Sequence, residues 1–156
     1  MRLSELLSGQ RVAVRHNGGG QSLDKAAAIK VLAQMLAGGA GADPAVVERV
    51  LTDREQLQST GIGEGVAIPH GALQQLATQF AALLIVPEGL DFAAIDGSDV
   101  TLLFAVITPK RATGEHLKTL ARVSRLLRSK GFRDRLVAAR EPKEAYDMIA
   151  IEEGER

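Results

Sequence analysis

The chain has 156 residues, 46% hydrophobic and 24% charged, which fits a soluble globular protein folding as one domain over residues 1–156. Lys plus Arg equals Asp plus Glu at 19 each, and there is no Trp and a single Tyr; neither a basic excess nor an aromatic platform is offered to nucleic acid. Cysteine is absent, excluding disulfides, thiolate nucleophiles and Cys-ligated metals, and no apolar run approaches the roughly 20 residues of a membrane helix.

The N-terminal segment Met-Arg-Leu-Ser-Glu-Leu-Leu is amphipathic and carries Glu5. It makes a poor signal peptide, so a cytoplasmic protein with no membrane insertion is expected. Leu3, Leu6 and Leu7 predict a short helix stopped by Gly9. Arg11 to Arg15 alternates charged and apolar residues and predicts an edge strand. Asn17 to Gly20 is a loop whose glycines lack the flanking pattern of a phosphate cradle. Ser22 is placed to cap a helix to about Ala37, with Leu23, Ala26, Ile29, Ala33 and Leu36 on one face and Gly38, Gly39 and Gly41 ending it. Asp43 and Pro44 read as cap and first-turn proline of a helix to about Gln58, with Val46, Val47, Val50, Leu51 and Leu57 as its buried stripe. Val66 to Ile68 predicts a short strand. Phe80 to Val86 and Val100 to Ile107 are near-continuous apolar runs, the signature of central strands covered on both faces. Glu88 to Ser98 between them is a turn-rich connection. Thr113 is placed to cap a helix to about Ser129, with Leu117, Leu120, Val123 and Leu127 inward, and shorter helices follow near Phe132–Ala138 and Pro142–Ile151. Strands interleaved with amphipathic helices imply an α/β sandwich of helices over one sheet.

Three histidines are available. His16 ends the predicted edge strand and reads as an exposed loop residue. His70 follows a short strand, between Pro69 and Gly71. Pro69 fixes its own φ and biases Ile68 to extended backbone, and Gly71 permits a sharp reversal. A ring so held suits phosphoryl transfer to nitrogen: one ring atom needs a free lone pair, and the other should donate a hydrogen bond, for instance to a backbone carbonyl at the strand–loop junction. Spacing alone leaves a merely packed histidine equally open. His116 falls in the first turn after Thr113, where unsatisfied N–H groups attract anions and favour neutral imidazole. Arg54 ends the helix that delivers the chain into the Thr60–Gly65 loop. Its fork can pair with a phosphoryl group of roughly two negative charges, or it belongs to a solvated Asp53-Arg54-Glu55 cluster. The Thr60-Gly61-Ile62-Gly63-Glu64-Gly65 loop lacks the dinucleotide-binding glycine order. Thr60 offers a hydroxyl to phosphate; Glu64 either orients His116 or Arg54 or is simply exposed. Metal-ligand spacing such as His-Glu-x-x-His is absent, so neither metal nor cofactor is expected.

The segment from Ser59 to Gly71, Ser-Thr-Gly-Ile-Gly-Glu-Gly-Val-Ala-Ile-Pro-His-Gly, closely resembles the active-site segment of enzyme IIA proteins of the bacterial phosphoenolpyruvate-dependent phosphotransferase system. The match is to the fructose/mannitol class, and above all to its nitrogen-regulatory branch. Glu115-His116-Leu117-Lys118-Thr119-Leu120 resembles that family's second histidine motif, and the family has an arginine corresponding to Arg54. Phe92-Ala93-Ala94-Ile95-Asp96-Gly97 through Thr108-Pro109 resembles the nitrogen branch more than the mannitol one. The resemblance spans nearly the whole chain. It implies a single mixed, mostly parallel sheet with helices on both faces, and a His70 that takes a phosphoryl group from a small histidine phosphocarrier protein. The expectation is a phosphocarrier whose phosphorylation state switches affinity for regulated target proteins. The lone domain, with no fused cysteine-bearing sugar-transfer domain, favours that branch. The alternatives are the cytosolic enzyme IIA of a fructose- or mannitol-type uptake system and a binding module that exchanges no phosphate. Retention of both His70 and His116 speaks against the last.

Overall fold

The computed structural model describes residues 2–18, 20 and 22–154; Gly19 of the predicted Asn17–Gly20 loop lies outside them. Helix α1, Leu3–Leu7, buries its three leucines and stops at Ser8, one residue before the predicted Gly9. Strand β1, Val12–Val14, is an edge strand as expected, but Arg11 is not part of an alternating surface. Its guanidinium is buried and donates to the carbonyls of Leu6 and Ala81, tying α1 to the neighbouring strand.

Helix α2, Lys25–Ala40, is capped by Asp24, which accepts the Ala27 N–H, rather than by Ser22. Gly38 and Gly39 lie inside it, and Gly41 ends it in the left-handed conformation. Gly39 is there for packing, because a Cβ at this position would run into the Arg11 guanidinium. Helix α3, Pro44–Leu57, has the predicted Asp43 cap and first-turn proline. Its buried positions are Val47, Leu51 and Glu55, one face at four-residue spacing. Leu57 and Val46 face solvent instead of completing the stripe, and a carboxylate occupies the place that an apolar residue would fill.

The chain then enters β2, Gly61–Gly63; β3, Val66–Ala67; β4, His70–Leu73; β5, Phe80–Leu90; and β6, Val100–Pro109. These form one mixed sheet in the order β1-β5-β6-β3-β2, with β4 also paired to β6. β5 and β6 are antiparallel, as are β2 and β3; β1 with β5, and β3 and β4 with β6, are parallel. The apolar runs of β5 and β6 divide residue by residue between two cores, as the strand period of two requires. Ala82, Leu84, Leu103, Ala105 and Ile107 pack under α2 and α3. Ala81, Leu83, Leu102, Phe104 and Val106 face α1 and three later helices. These are α4, Thr113–Leu126; α5, Lys130–Val137; and α6, Pro142–Gly154. Ala112, not Thr113, caps α4, and Leu117 is exposed where an inward position was expected. No helix among the described residues is long and apolar enough to cross a membrane.

Candidate functional site

β3 and β4 both lie along β6, β3 against Leu102 and Leu103 and β4 against Val106 to Pro109. Ile68 and Pro69 are the break between them. Proline has no N–H for a ladder, but its carbonyl accepts the Val106 N–H, so the break stays fastened to the central strand. His70 is the next residue and opens β4, in register with Val106. The chain does not reverse at Gly71. That glycine allows α3 to sit directly on β4, since a Cβ there would run into the Val50 side chain.

The His70 ring is fixed by its own chain. Nδ1 lies 2.6 Å from the Ile68 carbonyl oxygen, and a carbonyl only accepts, so Nδ1 carries the proton and donates. The lone pair is left on Nε2, which makes no hydrogen bond among the described residues. Burial is the main reason His70 titrates below an ordinary histidine; the bond to Ile68 and the Glu55 charge pull it upward, and the Arg54 charge pushes it further down. The ring is neutral at pH 7 and nucleophilic at one atom.

His116 comes from the other face of the sheet, as the fourth residue of α4. Its ring centroid is 5.3 Å from that of His70, with the planes inclined at 54°. Burial, with His70 second, lowers its pKa to about 4. Its Nδ1 is buried without a hydrogen-bond partner. The His116 N–H closes the first helical turn onto the Ala112 carbonyl. The N–H groups of Thr113, Gly114 and Glu115, ahead of it, stand at the positive end of the helix.

The other predicted residues divide. Arg54 donates from Nη1 to the Gln58 carbonyl at 2.8 Å, closing the end of α3, while its charge reaches His70. Thr60 is buried and its hydroxyl donates to Glu55, so it is not available to a phosphate. Glu64 orients neither His116 nor Arg54. It sits in the left-handed β2–β3 turn between Gly63 and Gly65, its N–H on Asp96 and its carboxylate 3.2 Å from Arg133 of α5. Exposed His16 pairs with Glu88 away from the site.

Glu55 and Lys25 are site-adjacent groups that sequence reasoning missed. The Glu55 carboxylate takes the Thr60 N–H and O–H and lies 2.8 Å from Lys25 Nζ, which also stands over the Phe92 ring. The signal was present in the four-residue spacing from Val47 through Leu51, which places Glu55 on the inward face.

Residues 17–151 match the family described as "Phosphoenolpyruvate-dependent sugar phosphotransferase system, EIIA 2". A nitrogen regulatory protein of Bradyrhizobium diazoefficiens is 38% identical over 127 residues, covering 81% of this chain and 83% of that protein. The nitrogen regulatory protein of Escherichia coli K12 is 37% identical over 131 residues, covering 83% and 80%. The crystal structure of nitrogen regulatory protein IIA-Ntr from Neisseria meningitidis matches with a TM-score of 0.85 at 29% identity, over 94% of this chain and 98% of that one. With the family model spanning most of the chain and the fold shared over nearly all of it, this protein belongs to the EIIA 2 family of the phosphoenolpyruvate-dependent sugar phosphotransferase system.

Proposed function

We propose that this protein is a cytoplasmic phosphocarrier of the nitrogen-related phosphotransferase system. His70 accepts a phosphoryl group from a small histidine phosphocarrier protein, and its phosphorylation state switches affinity for regulated target proteins. The observation that carries the reading is the Nδ1–H bond to the Ile68 carbonyl, which commits Nε2 of a neutral ring to nucleophilic duty. In the transfer, the Nε2 lone pair forms the new N–P bond. The donor's N–P bond breaks and its electron pair returns to the donor imidazole. The Nδ1 proton stays in its bond to Ile68 throughout. Such a step depends on alignment and on meeting the charge of the equatorial oxygens.

His116 and the first-turn N–H groups of α4 approach the phosphoryl group as uncharged donors, and Arg54 supplies the cation by exchanging the Gln58 carbonyl for a phosphoryl oxygen. Glu64 belongs to the exposed rim where a partner docks; Thr60 belongs to the frame beneath the ring. The names of the nitrogen regulatory relatives support the regulatory branch.

Incubation with phosphoenolpyruvate, the system's first enzyme and its small carrier should give an acid-labile, base-stable phosphate, absent from His70→Ala. Phosphate retained by that variant would overturn the assignment. Enzymatically phosphorylated and free protein should then capture different partners. Efficient passage of the phosphate to fructose or mannitol through a sugar-transfer protein would instead make this a transport component.

A further inference from the structure

Glu55 is the only buried carboxylate among the described residues. A buried ion pair is a weak source of stability, because apolar residues of similar volume often do as well. The bonds that leave it run toward the site. Glu55 accepts the N–H and the O–H of Thr60. The Thr60 carbonyl accepts the Ile68 N–H at 2.9 Å. The Ile68 carbonyl accepts the His70 Nδ1–H. At the far end Lys25, at the start of α2, neutralises Glu55 and is itself braced on Phe92.

We propose that Glu55 is a positioning residue for phosphoryl transfer, acting through Thr60 and Ile68 to hold the carbonyl that keeps the ring proton on Nδ1 of His70. This deepens the phosphocarrier reading and rests on it. Glu55 touches neither the ring nor the phosphoryl group. It fixes residue 60, which aims residue 68, which selects the tautomer. Its negative charge also makes the ring more basic, against the opposing effects of burial and Arg54. Without the carboxylate, the Thr60–Ile68 segment loses its footing, the Ile68 carbonyl drifts and the proton divides between the two nitrogens. The fraction of rings with a free Nε2 lone pair then falls.

The test measures ring tautomer and transfer rate separately. Long-range ¹H–¹⁵N correlation on wild-type protein should show His70 protonated at Nδ1 alone; protonation at Nε2 would overturn the proposal with no variant needed. Thr60→Val and Glu55→Gln should show a mixture of tautomers and phosphorylation slowed about tenfold or more at an unchanged KM for the donor carrier. Thr60→Ser, which restores the hydroxyl, should recover both. Variants that keep the wild-type amide spectrum, tautomer and rate would refute the idea. Should Thr60→Val fail to fold, the milder Glu55→Gln decides. A wild-type protein that accepts no phosphate would sink the phosphocarrier reading, whereas the tautomer measurement needs no phosphoryl transfer and judges the Glu55 relay by itself.

Discussion

The two site imidazoles are uncharged at neutral pH, and for His116 this links the site to stability. Burial and His70 bring His116 down to about 4, whereas an unfolded histidine titrates near 6.5. Between those values the unfolded chain binds a proton that the folded chain refuses. Stability is therefore unaffected by this ring above about pH 6.5, falls as the pH drops through the window, and has lost the full amount below about pH 4. Allowing for solvent screening at a half-buried ring, the loss should be on the order of 2 kcal/mol. Urea unfolding of wild type and His116→Gln from pH 7.5 to 4 should show wild type losing that much more than the variant; parallel curves would show that the ring titrates alike in both states. The direct hydrogen bond of the His70 ring was legible because its two ends lie two residues apart, Nδ1 of residue 70 on the carbonyl of an extended Ile68, with a proline between them. The Glu55–Lys25 pair was not, because it joins residues 30 apart in sequence. Within the Asp53-Arg54-Glu55 run, one charge points inward and another stays at the surface, and only the helical phase distinguishes them.

Elements were legible where their pattern was long. The runs in β5 and β6 could be read as doubly covered strands, and Asp43-Pro44 as a helix start. β2 and β4 escaped notice because they are only 3 and 4 residues long and include glycines; neighbouring strands make them extended, not their own alternation. Helix starts at Asp24 and Ala112 were missed by one or two residues because Ser22 is as good a cap by type as Asp24, and Thr113 a better one than Ala112, which caps with no side-chain hydrogen bond. Two glycines taken as breakers are packing residues. The α3–β4 contact at Gly71 is the testable one. Gly71→Ala should destabilise the fold by about 1–3 kcal/mol through overpacking against Val50. Val50→Ala should relieve much of this, so that chemical denaturation of the double variant shows strongly non-additive losses. Additive losses would mean that the helix moves freely away from the strand.

At the scale of the whole molecule, β6 is the axis. Leu102 to Ile107 are fully buried under helices on both faces and flanked by β5 on one side and β3 with β4 on the other. His70 and its preceding carbonyl are fastened to this strand at Val106. Amide exchange from Leu102 to Ile107 should be among the slowest in the protein and should stay so when His70 is phosphorylated, with changes limited to residues around the ring. Faster exchange along β6 on phosphorylation would show the sheet itself responding. A mount this rigid has a consequence for traffic between partners. Under the phosphocarrier role proposed above, such a mount gives the phosphoryl mark no route to a distant surface through the sheet, so a protein that senses it must cover the same few square nanometres as the donor. On that reading donor and sensing partner are mutually exclusive occupants, and an abundant partner that binds the unphosphorylated carrier slows its own release by shielding the histidine from the donor.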